Sequence, residues 1–402
     1  MLIAQRMAIS SDQHDANLSD RSVAIRLSLY YVFVFLNAGL YLPYWPVWLA
    51  SRGLGPVEIG LLFSVGRFAR VLSSPLIAQI ADRRGDRRRP LLVLSGITTA
   101  GFLIYAVCTE FWQYFLVAIL VGVAWGTVMP LGDSLAIVNT NKRPIQYGRV
   151  RLWGSISFIL ASLAGGKALE LFPESVIFWI LLASFAGVFA VCLLLPDSRI
   201  DAAPLRLSAI WRLFVHPSFA LLMLASALLQ SSHLVVYIFG TLHWRNAGIS
   251  DSMIGFLWAV GVIAEVALFA VGARVTARLR PGWLFIVAAI AGMIRWPLLA
   301  YATSLPVLIL TQTLHGVTFG AAHLAAMAFI AEAIPGRLSA TAQSLHGAVA
   351  LSIASAVIAP FLGGLFDSYG GGAFHAMTFL SFAGGLAAFL LMRRWQGGKL
   401  FE

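Results

Sequence analysis

Apolar blocks of roughly 20 residues, each enough to cross about 30 Å of hydrocarbon, recur from one end of this sequence to the other. Twelve can be delimited, at about 24–49, 57–81, 90–108, 111–139, 149–172, 175–195, 218–243, 252–274, 283–302, 305–331, 340–366 and 372–392. The expected fold class is therefore an all-α membrane protein with twelve transmembrane helices. Composition agrees: 59% of residues are hydrophobic and 11% charged, against about 25% charged in soluble domains. A water-soluble enzyme is excluded.

The net charge of +11 could suggest nucleic acid, but its distribution argues for topology. Twenty-two of the 28 Lys and Arg residues fall in the N-terminus, the even-to-odd connections and the C-terminus, while Arg52, Lys167 and Arg245 lie near the opposite ends. Cytoplasmic loops retain positive charge, so tails 1–22 and 395–402 are expected on the cytoplasmic side of the inner membrane. Met1 to Asp20 is polar and lacks the apolar core of a cleavable signal, leaving span one as the expected targeting segment. Cys108 and Cys192 fall at opposite ends of their spans, too far apart for a disulfide.

The chain also repeats itself. WLASRGLGPVEIGLLFSVGRFAR (Trp48–Arg70) aligns with HWRNAGISDSMIGFLWAVGVIAE (His243–Glu265), matching Gly53, Gly60 and Gly66 to Gly248, Gly255 and Gly261. GTVMPLGDSLA (Gly126–Ala136) parallels GVTFGAAHLAA (Gly316–Ala326), with Asp133 opposite His323. Two pseudo-symmetric six-helix bundles follow, 23–195 and 218–394, joined by a cytoplasmic linker at 196–217. Duplicated halves with a midplane site between them describe a secondary transporter.

The loop after span two, IAQIADRRGDRRRPLL, resembles the signature loop of the major facilitator superfamily. A generic basic loop would explain the arginines but not an Asp and a Gly at fixed offsets. Asp82, Arg83, Gly85, Arg87 and Arg88 fit the family pattern, with Ala78 where Gly is usual. The resemblance implies the major facilitator fold and a conformational latch at these five residues. The second-half counterpart, VGARVTARLRP, keeps Arg278 but has Ala277 in the place of the Asp.

A charge inside a span costs about 2.5–3.5 kcal/mol on insertion scales, so each is a functional candidate. The carboxylates are Asp133 and Glu265; the cations are Arg67, Arg70 and Arg295, with Arg151 at the start of span five. A surplus of positive charge suits an anionic cargo. Asp133 and Arg151 are joined by the short connection NTNKRPIQYG, so they are expected on neighbouring helices. They could form a structural ion pair, or Asp133 could hold Arg151 while its fork of donors waits for a substrate carboxylate.

GDSLAIVNTNKRPIQYGRVRLWGS is similar to the span four to five segment of the 3-phenylpropionate (hydrocinnamate) transporter family, and more distantly to lactose permease and nucleoside–proton symporter groups. LYLPYWPVWL, IGLLFSVGRFAR, HWRNAGISDSMIGFLWAVGVIAEV, IRWPLLA and LHGVTFGAAHLAAMAFIA extend the likeness over nearly the whole chain. In the lactose permease pattern an acid sixteen positions before the first Arg of G-R-x-R-x-x-G, and the second Arg, hold substrate; Asp133 and Arg151 occupy those places. Arg70 fits the phenylpropionate pattern, whereas Arg67 stands where that pattern is apolar. Related permeases cluster an acid, an arginine and a histidine from spans eight, nine and ten, which implies Glu265, Arg295 and His315 as a proton-coupling group. The further carboxylate expected three positions after that histidine is Thr318 here. Glu265 therefore takes the proton role by elimination, with His323 as its possible partner; a structural Glu–Arg pair is the alternative.

Gln230, His233 and Tyr237 share a face of span seven at helical spacing, a pattern also found in the phenylpropionate carriers, so His233 and Tyr237 are expected to line a cavity. A lone helical histidine is otherwise a packing residue, and His346 in span eleven has only its proximity to recommend it. Tyr41 and Trp153, with Tyr44 and Trp45, could offer an aromatic slot beside Arg151, and Asn37 could orient the ligand; aromatic residues at such depths also serve packing and interfacial belts.

The function expected is proton-coupled symport of a small aromatic monocarboxylate such as 3-phenylpropionate or cinnamate, by alternating access. Symport of a neutral nucleoside or sugar, drug efflux, and a non-transporting sensor are the alternatives. Neither H-E-x-x-H nor G-x-x-x-x-G-K-[ST] occurs, so a zincin and an ATP-driven pump are unsupported, and no cofactor or metal is expected. The partners are a small organic anion, a proton and the lipid bilayer. The family default is a monomer.

Overall fold

A computed structural model describes residues 18–196 and 207–401, apart from the side chains at 82, 84, 207–210, 337 and 340. Most of the N-terminal tail, the middle of the linker and the Asp82 carboxylate thus lie outside the described residues. No strand occurs among the described residues. Helix is the expected outcome, because in hydrocarbon every backbone N–H and C=O needs a partner within its own segment.

Span one is Asp20–Ser51, two Pro56–Arg84, three Arg88–Ile104, five Tyr147–Leu171, six Ser175–Cys192, eight Asp251–Ala270, nine Pro281–Tyr301 and twelve Phe374–Arg394. Among the described residues, eleven stretches are long and apolar enough to cross a membrane, the last being Thr341–Arg394 at 54 residues. At about 1.5 Å per residue that is more than twice the hydrocarbon thickness. The chain turns within it at Gly370, whose φ of +53° favours glycine, separating spans eleven and twelve.

The other four spans are irregular. Span four breaks between Phe111–Trp125 and Val128–Asn141, and span seven between Pro217–Ser231 and Leu234–Asn246. Span ten carries a π-helical segment at Gly316–Ala321, between Leu305–His315 and Ala322–Ala333. Span eleven carries another at Gly347–Ile353, between Gly336–His346 and Ala354–Tyr369. Both π segments follow a histidine directly. Such bulges widen the helix by a residue and cluster at functional sites.

Two compact units share the chain: Met1–Tyr41, Ala69–Ala161 and Ser175–Ala203 form one, and Leu42–Phe68, Ser162–Glu174 and Pro204–Glu402 the other. The first has a core built on Leu27, Tyr30, Leu91, Leu131, Leu135 and Val188, and the second on Phe219, Leu222, Phe285, Ala325 and Phe329. Division by contact therefore crosses division by repeat. The reason lies in the second unit, where span ends far in sequence pack tightly. A Cβ added at Gly363 would lie 2.6 Å from the Pro56 carbonyl oxygen, and one at Gly255 2.4 Å from that of Ser162. Tyr44 donates to the same Ser162 carbonyl at 2.5 Å. Arg245 grips Asp251 through Nε and Nη2, at 2.6 and 2.8 Å, and reaches Glu174 at 3.4 Å.

Candidate functional site

Within the first unit, Tyr147 and Arg151 are one turn apart on span five and so share a face. Tyr31 donates to Asp133 Oδ1 at 2.6 Å and Tyr147 donates to the same oxygen at 3.2 Å. Arg151 approaches less closely, with Nε 3.9 Å from Oδ1. Its guanidinium lies instead over aromatic faces, 4.2 Å from the Phe35 ring centre and 5.1 Å from that of Tyr31. Arg151 and Asp133 are 30% and 31% exposed, and no hydrogen bond to another described residue occupies the Arg151 terminal nitrogens. Asp133 is thus held by two phenols, while the arginine fork stays open beside two rings. Such a site can take a planar acid: carboxylate on the guanidinium, apolar body along the rings.

Two other expectations for this half, Asn37 and Trp153, meet a different outcome. Asn37 is 1% exposed and donates to Ser184 Oγ at 2.8 Å, so it ties span one to span six and has no face for a ligand. Trp153 is 53% exposed and lies in a groove with Ile25 and Leu29. Two helical positions are about 200° of rotation, which turns Trp153 away from the face of Arg151. Tyr41 is part-buried. In the span two to three loop, Gly85 has φ +65°, and Arg83 is exposed. Arg87 Nε donates to Ser134 Oγ at 2.7 Å, beside Asp133. Arg88 donates to the carbonyls of Cys192 and Leu193 at the end of span six. Arg88 thus ties this loop to the end of span six and Arg87 ties it to span four.

The second unit holds a denser cluster. Arg295, 1% exposed, donates from Nη1 to Thr318 Oγ1 at 2.9 Å and to His315 Nδ1 at 3.3 Å, and from Nη2 to Gln312 Oε1 at 3.4 Å. Its guanidinium lies 4.5 Å over the Trp296 ring. Arginine has donors only, so a neutral His315 accepts at Nδ1 and carries its proton on Nε2, 3.6 Å from Glu265 Oε2. Glu265, Arg295 and His315 are thus brought together as expected. His323 feels the Glu265 charge, and its ring lies 6.4 Å from that of His346 and stacks on Phe319.

His233 and His346 do not line an open cavity. The break in span seven frees carbonyls, and His233 Nδ1 takes those of Leu229 and Gln230 at 3.1 and 3.3 Å. Its Nε2 then accepts from Thr318, 2.9 Å away, completing a directed chain from Arg295 through Thr318 and His233 to the backbone. His233 is wholly buried and His346 1% exposed, the latter with Nε2 2.6 Å from Ser226 Oγ. Tyr237 is part-buried and stacked on His233 at 5.7 Å.

The family model of the MFS_1 like family matches residues 24–387. The chain belongs to the MFS_1 like family. A "Probable 3-phenylpropionic acid transporter" of Escherichia coli (strain K12) is 33% identical over 366 residues, covering 88% of this chain and 94% of that protein. A maltose permease of Geobacillus stearothermophilus is 27% identical, covering 80% and 82%. The solved structure of the nucleoside transporter NupG superposes with a TM-score of 0.79 at 17% identity, covering 92% of this chain and 98% of that one. As an MFS_1 like protein the chain is a multi-pass membrane transporter of a small organic substrate, and not an enzyme.

Within that family frame, Tyr31, Tyr147, Phe35 and Gln312 are the site residues that sequence reasoning passed over. Tyr147 carried a signal: it opens the YGRVR motif and lies four residues before Arg151. Phe35 and Tyr31 are likewise four apart on span one. Gln312 is uncharged and gave none, and Thr318 stood out only as the place of a missing carboxylate.

Proposed function

We propose that this transporter takes up a small aromatic monocarboxylate, such as 3-phenylpropionate or cinnamate, together with a proton. The observation that carries the reading is the open Arg151 fork lying over Phe35 and Tyr31. A cation flanked by rings matches a cargo with a carboxylate at one end and a ring at the other. The name of the Escherichia coli relative supports the same class.

Glu265 is the proton carrier in this reading, with His315 against it and Arg295 behind. One carboxylate entering with one proton moves no net charge. The voltage term, about 2.3 kcal/mol per charge per 100 mV, then vanishes and the pH gradient alone drives accumulation. The basic connections set the termini on the cytoplasmic side of the inner membrane. The repeats 23–195 and 218–394 act as the two alternating halves, within a monomer.

The test is uptake of labelled 3-phenylpropionate by purified protein in liposomes under an imposed pH step, acid outside. Accumulation that follows the pH step, ignores an imposed voltage and is blocked by cinnamate supports the proposal. Competition by a nucleoside or sugar but not by aromatic acids would overturn the cargo class.

A further inference from the structure

Arg149 and Arg151 differ in position by two and face different surroundings. Arg149 lies at the mouth of a groove between the first turns of spans one and five, a cavity of about 620 Å³. Arg21 and Arg149 stand at its upper end, and Ile25, Leu29 and Trp153 line it further along the spans. Asp20 also borders it, but Arg143 Nη1 binds that carboxylate at 2.9 Å. Both Arg21 and Arg149 are exposed, and neither guanidinium donates to another described residue. The groove therefore presents two open cationic forks above an apolar slot, on the membrane side that carries the basic connections.

We infer that this groove seats one anionic diacyl phospholipid. The phosphate sits between Arg21 and Arg149, and an acyl chain runs down the slot past Ile25 and Leu29 against Trp153. The chemistry fits at each level. Guanidinium forks match phosphate oxygens in pairs, and basic pockets between spans on the cytoplasmic side select anionic headgroups. An exposed Trp at the headgroup border is an interfacial anchor, which explains why Trp153 is apolar-facing yet unburied. A generic basic surface would scatter its arginines; here both cap the same cavity. Spans one and five also carry Tyr31 and Arg151, so the lipid would brace the two helices that shape the first-half cluster.

Native mass spectrometry of the full-length protein, released from nanodiscs of phosphatidylcholine and phosphatidylglycerol in equal parts, tests this. The comparison is between wild type, Arg21→Gln/Arg149→Gln, and a control of equal charge change, Arg274→Gln/Arg278→Gln. Each arginine near an anionic surface contributes enough that retained phosphatidylglycerol should fall on the order of tenfold in the groove variant and stay unchanged in the control. Ser28→Trp, which keeps both arginines and fills the slot, should lower retention as well. Equal loss in groove variant and control would reduce the site to bulk surface charge and overturn it. So would equal retention of phosphatidylcholine, undiminished binding after Ser28→Trp, or displacement of the lipid by inorganic phosphate alone. Retention that appears only when residues 1–17 are deleted would make that segment the occupant instead.

Discussion

Replacing Arg151 with Lys keeps the charge and removes the fork, which isolates the geometry on which the cargo assignment stands. A charge-assisted hydrogen bond to a carboxylate contributes about 1.5–3 kcal/mol, and Lys gives up one of the two such bonds that a guanidinium makes side by side. The plane stacked 4.2 Å over Phe35 adds about 0.5–1 kcal/mol at an exposed site. With Arg151 30% exposed, the lower ends apply, for a total of about 2 kcal/mol. That corresponds to a roughly thirtyfold rise in Kd. Isothermal titration with 3-phenylpropionate, and in parallel with its neutral amide, is the assay. We expect Arg151→Lys to weaken the acid roughly thirtyfold and to leave the amide within about twofold. Unchanged affinity for the acid, or equal weakening of both ligands, would refute a carboxylate on this guanidinium.

Three further outcomes follow from the same geometry. Glu265→Gln should abolish accumulation driven by a pH step in liposomes while exchange of bound cargo continues; pH-driven accumulation at the wild-type level would remove Glu265 from the proton role. Thr318→Val deprives Arg295 Nη1 and His233 Nε2 of their shared hydroxyl. A buried orphan polar group costs about 1–3 kcal/mol, so thermal unfolding should drop by several degrees, and an unchanged midpoint would deny the chain its structural weight. Gly363→Val forces the span end away from the Pro56 carbonyl, so a thiol introduced by Ser64→Cys, buried in this structure, should label faster; equal labelling would show that the contact yields without separation.

What the sequence made legible follows from what is expensive in lipid. Twelve apolar blocks, Arg151 with Asp133, and Glu265 with Arg295 and His315 all announce themselves, because a charge in hydrocarbon demands a reason. Helical phase within a motif is harder to read. Trp153 looks like a neighbour of Arg151 and sits on another face; Asn37 looks like a ligand group and is spent on Ser184. The face of Gln230, His233 and Tyr237 assumed a straight helix, but span seven breaks after Ser231. No charge marks that break, and its freed carbonyls are what turn His233 inward. Thr318 reads as a missing carboxylate in the sequence, yet its hydroxyl takes a hydrogen bond from Arg295 and so keeps a partner in that position.

That substitution has an electrostatic consequence. An arginine cannot shed its proton, so Arg295 brings a permanent charge into a site where the groups that accept its hydrogen bonds, Thr318, His315 and Gln312, can all be neutral. Their dipoles and the Trp296 face offset part of the desolvation cost but cancel none of the charge. Within the cluster, the Glu265–His315 contact is a place where the charge can change. With Glu265 ionised and His315 neutral, the carboxylate offsets one positive charge. When Glu265 takes a proton, the cluster becomes net positive without any arginine having moved. If Glu265 carries the proton as proposed, the loaded cluster would attract an anion more strongly than the unloaded one. On that proposal a neutral sugar would gain nothing from the change in charge, which favours an acid as cargo.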